Sequence, residues 1–392
     1  MTTTGESSSL GRYAFFALAA SLGFIQVGMA YGTTLFVVAA LLWLTLLLRG
    51  AAQPPRPAFV LPLLIFAGLT IVSTAFSEDV LASLRRDRQL FWYFVIPVTM
   101  GLAAGRRATT VTNVIIAVGA VSAFVGIVQG IIVGELNLDY LLHNRPHGMI
   151  GHFMTYSGLL MLVACAAAAQ LLYREREWLW PAVAVPALLV ALAVTLSRNV
   201  WIGTIVALTT LLVLRRPRLT IAVPIVVAAA LLVPSVRDRA LSMFDPANPT
   251  NRDRISMWRS GQAMISDHWL TGVGPNMVPR AYIEHYKRAD AVDPEDQRGS
   301  TRAHLHNVVI QIAAERGVPA LLAWFWFLAV AARDLWRQAR TGPAPGLAAA
   351  GLAAIAAMLS AGMFEHNFGD SEFLVLFLAL ITLPYAARVQ TR

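Results

Sequence analysis

The chain has 392 residues, of which 57% are hydrophobic and only 14% are charged. This composition excludes an ordinary soluble globular protein and predicts an all-α membrane protein that crosses the bilayer several times. The formal charge of +9 is carried by arginine, since Lys287 is the only lysine. Arginines that fix membrane topology account for this charge, so we predict no nucleic-acid partner.

Apolar windows along the chain predict about twelve membrane-spanning helices, because each span needs about 20 mostly apolar residues. Nine windows precede a long hydrophilic stretch: Tyr13–Ala30, Tyr31–Leu48, Phe59–Phe76, Leu90–Leu102, Thr110–Val133, Phe153–Leu172, Leu179–Thr195, Val200–Leu214 and Ile221–Val233. Three follow it: His304–Ala332, Leu347–Met363 and Phe373–Tyr385. The fourth window is short, and its helix is expected to begin earlier.

The chain thus divides into residues 1–233 with helices 1–9, a hydrophilic segment 234–303, and residues 304–392 with helices 10–12. Loops that stay in the cytoplasm collect positive charge, and here every second loop is rich in arginine. This rule places both termini inside the cell and the segment 234–303 on the outer side.

Five arginines break the rule, because they lie in short outer loops. They are Arg85, Arg86, Arg88, Arg145 and Arg198. The first three either pair with nearby acidic residues or face a bound anion. Arg198, in the stretch TLSRNVWIG, has no acidic neighbour in sequence, which favours a functional role.

The outer segment contains a predicted amphipathic helix with Thr250 as N-cap and Asp253 three residues later. On this helix Arg254 and Trp258 lie one turn apart on one face. Guanidinium groups suit bidentate recognition of phosphate, although Arg252 on the same helix could simply be solvated.

Two histidines, His304 and His306, stand where the hydrophilic segment becomes apolar. Histidine suits proton removal near neutral pH, because its ordinary pKa is about 6.5. Helical spacing puts His304 on a polar stripe with Gln311 and Glu315 and puts His306 on a more apolar one, so periodicity favours His304. Together with the outer arginines, the pair predicts a site for a lipid-linked phosphate or pyrophosphate.

The stretches LSRNVWIG, RISMW followed by GVGP, and HNVVIQIAAERGVPA resemble the O-antigen ligase and polymerase superfamily of bacterial inner-membrane glycosyltransferases. The most specific element is His306 and Asn307 with Gly317 after nine further residues. The resemblance implies a GT-C type architecture with about twelve spans and one large periplasmic loop. It also implies transfer of O-antigen glycan from undecaprenyl pyrophosphate to lipid A-core, with inversion.

Carried over residue by residue, the resemblance implies that Arg198 and Arg254 bind pyrophosphate and that His306 is the general base. That choice of base overrides the periodicity. Further candidates for substrate binding are Arg252, Arg145, Arg88, His304, Asn307, His152 and Tyr156. The last outer turn adds Glu365, His366 and Asp370, which are expected to orient a sugar or pair with an arginine.

We expect no cofactor and no catalytic metal. The outer acidic residues are scattered, and the nearest cluster, Asp293 to Asp296, is expected only to solvate its loop. The alternatives are an O-antigen polymerase, a protein O-oligosaccharyltransferase and, more distantly, a lipid-linked glycan or anion transporter. Transport predicts charges at mid-bilayer depth, whereas the polar groups here gather at the outer ends of the spans.

Overall fold

The computed structural model of the protein describes residues 9–51, 55–133, 145–173, 179–288 and 304–389. Helices account for 80% of the structure, and no strand occurs among these residues, which confirms the predicted all-α class. The α-helices are α1 (Ser9–Phe24), α2 (Met29–Leu48), α3 (Val60–Ala75), α4 (Val80–Asp87), α5 (Val95–Leu102), α6 (Arg106–Val133), α7 (Phe153–Tyr173), α8 (Leu179–Val194), α9 (Arg198–Arg215), α10 (Ala222–Ala230), α11 (Pro234–Leu241), α12 (Pro249–Asp267), α13 (Val278–Ala281), α14 (Val308–Thr341), α15 (Pro345–Gly362) and α16 (Ser371–Ala386). Short 3-10 helices add Arg88–Phe94, Pro217–Ile221 and Asn367–Gly369.

Six of the described helices are long and apolar enough to cross a membrane, namely α2, α6, α7, α9, α14 and α15. The helices α3, α8, α10 with its preceding turn, and α16 are apolar but shorter. Each of the twelve apolar windows contains helix. A multi-pass membrane protein is therefore supported, while the number of twelve spans stays a prediction.

Two span boundaries differ from the sequence prediction. The first window is broken, because α1 ends at Phe24 and a turn precedes α2 at Met29. The helix of the tenth predicted window, α14, begins at Val308 instead of His304. The reason is that the Asn307 side chain accepts hydrogen bonds from the Val309 and Ile310 N–H groups, both at 3.0 Å. The helix of the fourth window does begin earlier than the window itself, as expected, because α4, the 3-10 helix Arg88–Phe94 and α5 follow one another without a break from Val80 to Leu102.

The N-cap predicted for the outer helix is also wrong. The helix α12 begins at Pro249, and the Asn248 side chain caps it by accepting a hydrogen bond from the Thr250 N–H at 3.1 Å. Asparagine is a strong N-cap and proline favours the first helical position, so the helix begins after Asn248 and not after Thr250. The predicted proximity of Arg254 and Trp258 on one helical face is unaffected.

The centre of the bundle is formed by α7, α15 and α16, which are buried along most of their length. Small residues allow this close packing, and α15 is built mainly of alanine and glycine. A side chain at Gly203 of α9 would overlap Met161 of α7. Close approach of helix backbones through small residues is the usual way that membrane helices associate.

The helix α14 is kinked at Gly317, whose φ is 80° and ψ is 166°. At the kink, the Val318 N–H donates to the Trp269 carbonyl at 2.7 Å, and the Val273 N–H donates to the Ala314 carbonyl at 2.8 Å. A side chain at Gly317 would overlap the Leu270 backbone. The glycine of the HN-x9-G motif is therefore required where the turn after α12 contacts α14.

Candidate active site

His304 and His306 both contact one buried carboxylate, that of Glu365. The distance from His304 Nε2 to Glu365 Oε1 is 2.5 Å, and that from His306 Nδ1 to Glu365 Oε2 is 3.0 Å. Only 4% of Glu365 is exposed. The two imidazole rings are themselves adjacent, with centroids 4.5 Å apart. We call His304, His306 and Glu365 the histidine–glutamate cluster.

The protonation of this cluster follows from its hydrogen bonds. Burial alone would raise the pKa of the Glu365 carboxyl, but hydrogen bonds with His304 and His306 hold it well below its usual range. An ionised carboxylate only accepts hydrogen bonds, so the ring nitrogens that face it carry hydrogen. His306 is then protonated on Nδ1, which leaves Nε2 as its basic atom when the ring is neutral.

His304 is less suited to accept a proton near neutral pH. Burial alone would lower its pKa, but the hydrogen bond and charge of Glu365, with further help from Asp370, raise it above its usual value. A higher pKa means that a larger fraction of His304 is already protonated at neutral pH. The raised pKa therefore counts against His304 as the base, while the choice of His306 stays a prediction from resemblance.

The periodicity argument for His304 is wrong because neither histidine belongs to the helix. Both precede the cap residue Asn307, and His306 has a φ of 49°, which helix and strand residues do not adopt. Their relative placement is set by contacts with Glu365 on the turn between α15 and α16. Helical stripes cannot describe residues that lie outside the helix.

Four arginines influence one another electrostatically beside this cluster: Arg145, Arg198, Arg239 and Arg254. Burial and the charges of Arg145 and Arg254 lower the pKa of Arg239 to about 10. Burial, followed by the charges of Arg198 and Arg254, lowers the pKa of Arg145. Cations this close to one another create a positive potential, and that potential would stabilise a bound anion. We call these residues the arginine cluster.

Arg254 connects the two clusters. Burial lowers its pKa, whereas the charges of Glu365 and Asp253 raise it, which places its guanidinium near the histidine–glutamate cluster. The Arg254 Nε and the Trp258 Nε1 are buried, and neither has a hydrogen-bond partner among the described residues. The Trp258 ring lies 6.4 Å from that of Phe364, the neighbour of Glu365. Two donors on one face of α12 thus lack an acceptor in the described part of the chain, which is a common feature of residues that bind a ligand.

Arg198 has a second role, as an anchor. Its Nη1 donates to the Ser242 carbonyl at 3.0 Å and its Nη2 to Asn251 Oδ1 at 3.3 Å. Only 6% of the residue is exposed. Arg198 therefore adds charge to the arginine cluster while it holds the connection between α11 and α12 against α9.

Other sequence candidates contact the turn that carries Glu365. The Asn307 Nδ2 donates to the Met363 carbonyl at 3.0 Å, so this residue positions the turn as well as capping α14. On the far side of the turn, His152 Nδ1 lies 3.1 Å from Thr155 Oγ1, which donates to Asp370 Oδ2 at 2.9 Å. His152 is exposed and remains a candidate for substrate contact.

Three candidates are placed less favourably. The Tyr156 hydroxyl donates to the Ser122 carbonyl at 2.9 Å, and the residue is only 1% exposed, which indicates a packing role. Arg252 is exposed, and its position two residues before Arg254 puts it on a different face of α12. Arg88 is exposed and its Nε donates to the Arg85 carbonyl at 2.8 Å.

Sequence reasoning missed Arg239 and the histidine partners of Glu365, and from the outer arginines it chose Arg88 instead of Arg86 as a site candidate. Arg86, instead of Arg88, contacts the turn, since its Nη2 donates to the Gly369 carbonyl at 2.7 Å. Arg239 lies in the charged run VRDRA, which resembles a solvated surface. Glu365 was expected to orient a sugar or pair with arginine, and it contacts two histidines. An acidic residue beside a histidine in a short membrane loop is the signal that could have raised its rank.

The ligand atoms of His304, His306 and Glu365 also lie within 4.8 Å of one another, as a metal site would require. However, the contact of 2.5 Å between His304 and Glu365 has the length of a hydrogen bond. Two ligands of one tetrahedral zinc ion are about 3.3 Å apart, given bonds of about 2.0 Å. The acidic stretch at residues 293–296 lies outside the described residues.

The long apolar helices indicate a multi-pass membrane protein, and the histidine–glutamate and arginine clusters together are its candidate site. Residues 182–325 match the family described as O-antigen ligase, and this match supports membership of the O-antigen ligase and polymerase family. The predicted resemblance is confirmed, and it indicates a glycosyltransferase-like enzyme with a ligase-type or polymerase-type reaction. A comparison with curated proteins gives no significant match.

Proposed function

We propose that the protein transfers O-antigen glycan from undecaprenyl pyrophosphate to lipid A-core, with inversion at the anomeric carbon. The observation that supports this most strongly is that the charge of Glu365, in the histidine–glutamate cluster, acts on Arg254 of the arginine cluster and raises its pKa. Neighbouring histidines and cations suit a reaction in which a hydroxyl is deprotonated and a pyrophosphate leaves.

In the proposed reaction His306 Nε2 takes the proton from the acceptor hydroxyl. The acceptor oxygen then forms a bond to the anomeric carbon as the bond from that carbon to the pyrophosphate oxygen breaks. Glu365 holds the His306 ring in the required tautomer and stabilises the imidazolium, as an orienting carboxylate does in other base-catalysed transfers. General base catalysis of this kind contributes about 10² to 10⁴-fold.

The arginine cluster acts on the leaving group. Negative charge grows on the pyrophosphate as the glycosidic bond breaks, and preorganised donors at such a position are worth about 2.7 to 4 kcal/mol each. Arg254 supplies the unpaired Nε donor, while Arg145, Arg198 and Arg239 supply charge. The arginines are expected to matter at least as much as the base, and their charge takes the place of a divalent metal.

The proposal includes an arrangement in the membrane. About twelve spans form a GT-C type architecture in the bacterial inner membrane, with both termini in the cytoplasm. Residues 234–303 form the periplasmic loop between residues 1–233 and 304–392, and the site opens to the outer leaflet. The undecaprenyl-linked donor and the lipid A-core acceptor are both expected to reach it from there.

The test is transfer by purified protein supplied with synthetic undecaprenyl-pyrophosphate glycan and separately prepared lipid A-core. Products are identified by gel and mass, and the anomeric configuration of the new bond is determined by NMR. The proposal expects glycosylated lipid A-core of inverted configuration, formed equally well in excess chelator. Loss of transfer in chelator that zinc or magnesium restores would instead make the histidine–glutamate cluster a metal site.

Other products would identify a different member of the same class. Longer glycan on the lipid carrier would mean a polymerase, and glycan on an added pilin-like protein would mean a protein O-oligosaccharyltransferase. Transfer to none of the three acceptors would contradict an enzymatic function and revive the transporter.

A further inference from the structure

Two buried polar residues, Gln311 and Glu315, connect the histidines to the turn that follows α12. The Leu305 N–H, between His304 and His306, donates to Gln311 Oε1 at 2.6 Å. The Gln311 Nε2 in turn donates to Glu315 Oε1 at 2.8 Å. Gln311 is 1% exposed and Glu315 is 4% exposed, so water does not compete for these groups.

Glu315 is held in place by hydrogen bonds from residues other than Gln311. Its Oε1 also accepts a hydrogen bond from the Asn276 N–H at 2.9 Å, and its Oε2 accepts one from Arg316 Nη1 at 2.6 Å. The Glu315 backbone carbonyl accepts from Ser73 Oγ at 2.8 Å and from the Gly274 N–H at 3.0 Å. The turn of residues 272–276 follows α12, the helix that carries Arg254.

The backbone at His306 needs such support. Its φ of 49° lies in the left-handed region, which costs a residue with a side chain about 1–2 kcal/mol. Conformations of this kind persist where surrounding contacts determine them, and they are common at functional sites. The hydrogen bond from the Leu305 N–H to Gln311 fixes the peptide between His304 and Leu305, one residue before the left-handed backbone of His306.

We propose that Gln311 is a positioning residue that holds His304 and His306 against Glu365, and that Glu315 orients its amide. Because Glu315 also binds the turn after α12, the pair keeps the base and Arg254 in a fixed relative position. This inference rests on the proposed function. It also gives a role to the buried glutamine and glutamate that this chain carries between Asn307 and Gly317.

The test compares Gln311→Met with Gln338→Met in the transfer reaction. Gln338 is a matched control, since it is a buried glutamine of the same helix and its Nε2 has no partner among the described residues. Gln311→Met is expected to lower kcat about 10- to 100-fold with donor KM within about twofold, because misplacing a reacting group by about 1 Å costs that much.

A second test moves the carboxylate from position 315 to position 311. Gln311→Glu alone places two carboxylates together and is expected to lower kcat at least tenfold. The double variant Gln311→Glu/Glu315→Gln restores the two hydrogen bonds of residue 311, because the amide at 315 donates to the carboxylate at 311, which accepts from Leu305. The Asn276 N–H loses its acceptor in this variant, so we expect a partial recovery, with kcat at least about threefold above that of Gln311→Glu. A double variant no better than Gln311→Glu would overturn the proposal.

Failure of the inference and failure of the proposed function remain distinguishable. Wild-type protein that transfers no glycan contradicts the function, whereas active wild type with Gln311→Met equal to Gln338→Met contradicts only the positioning role. A structure of Gln311→Met tests the placement without any transfer assay. The inference expects the contact between His306 Nδ1 and Glu365 to be lost, and an unchanged contact would contradict it.

Discussion

The central helices and the end of the bundle that carries the site differ in the kind of side chain that they bury. In α7, α15 and α16 the buried side chains are almost all small or apolar. At the site end, by contrast, four buried residues are polar or charged, namely Arg198, Gln311, Glu315 and Glu365. Buried charge is costly in a membrane protein and commonly marks function, so we expect changes in the two regions to have separate effects on stability and on transfer.

The largest expected effect is that of Glu365→Gln. The amide cannot accept hydrogen bonds from both imidazoles or stabilise an imidazolium by charge, so kcat should fall about 10²-fold or more. The measurement is steady-state transfer at saturating donor, with Glu284→Gln as a control because Glu284 is exposed. A Glu365→Gln enzyme with wild-type kcat would show that the cluster is not part of the reaction.

A smaller loss is expected for Arg239→Ala. Removing one cation of the arginine cluster should weaken donor binding about 10-fold, since hydrogen bonds or contacts to charged groups contribute about 1.5–3 kcal/mol. The neighbouring Arg237→Ala is the control, because Arg237 is 54% exposed and pairs with Asp238. Donor KM measured for both variants checks this, and equal KM values would remove Arg239 from the site.

In the central region, Gly203→Leu should change stability instead of chemistry. The larger side chain would overlap Met161, and overpacking of this kind costs about 1–3 kcal/mol. The melting temperature in detergent should fall, while transfer per folded molecule stays within about twofold of wild type. A loss of transfer without a loss of stability would mean that the two regions are not separable.

The smallest effect concerns pH. The pKa of Glu365 is depressed on folding, so its contribution to stability is present above the ordinary value of 4.5 and is lost as pH falls through the folded value. The pKa of His304 is raised, so its contribution is complete below 6.5 and is lost as pH rises through the folded value. The difference in melting temperature between wild type and Glu365→Gln should therefore be largest between pH 4.5 and 6.5. A difference that does not vary with pH would contradict this ionic contact.

The helical bundle could be predicted from sequence because each span is encoded locally by apolar residues. The twelve windows all contain helix, and errors such as Thr250 in place of Asn248 concern only the ends. The site could be predicted only in part. His306 and Arg254 were proposed from their motif and helix, but Glu365, which contacts His306, lies 59 residues further along the chain.

Nothing in the periodicity of α14 indicates that Glu365 reaches both histidines. That placement depends on Asn307 in two ways. Asn307 caps the start of α14, so His304 and His306 lie outside the helix, and its side chain donates a hydrogen bond to the Met363 carbonyl. Arg239 was missed for a related reason, since a charged run has the same appearance in sequence whether its side chains are solvated or partly buried. Contacts between loops, in contrast to helices, leave no repeating pattern.

The central claim is that His306 is the base and Arg254 binds the leaving pyrophosphate in one transfer site. The most direct measurement compares His306→Ala and Arg254→Ala with His285→Ala and Arg259→Ala, which alter exposed residues outside both clusters, in the transfer of synthetic lipid-linked glycan to lipid A-core. We predict that the first two variants lose at least about 10²-fold in rate, while the other two stay near wild type. Equal activity in all four variants would contradict the account.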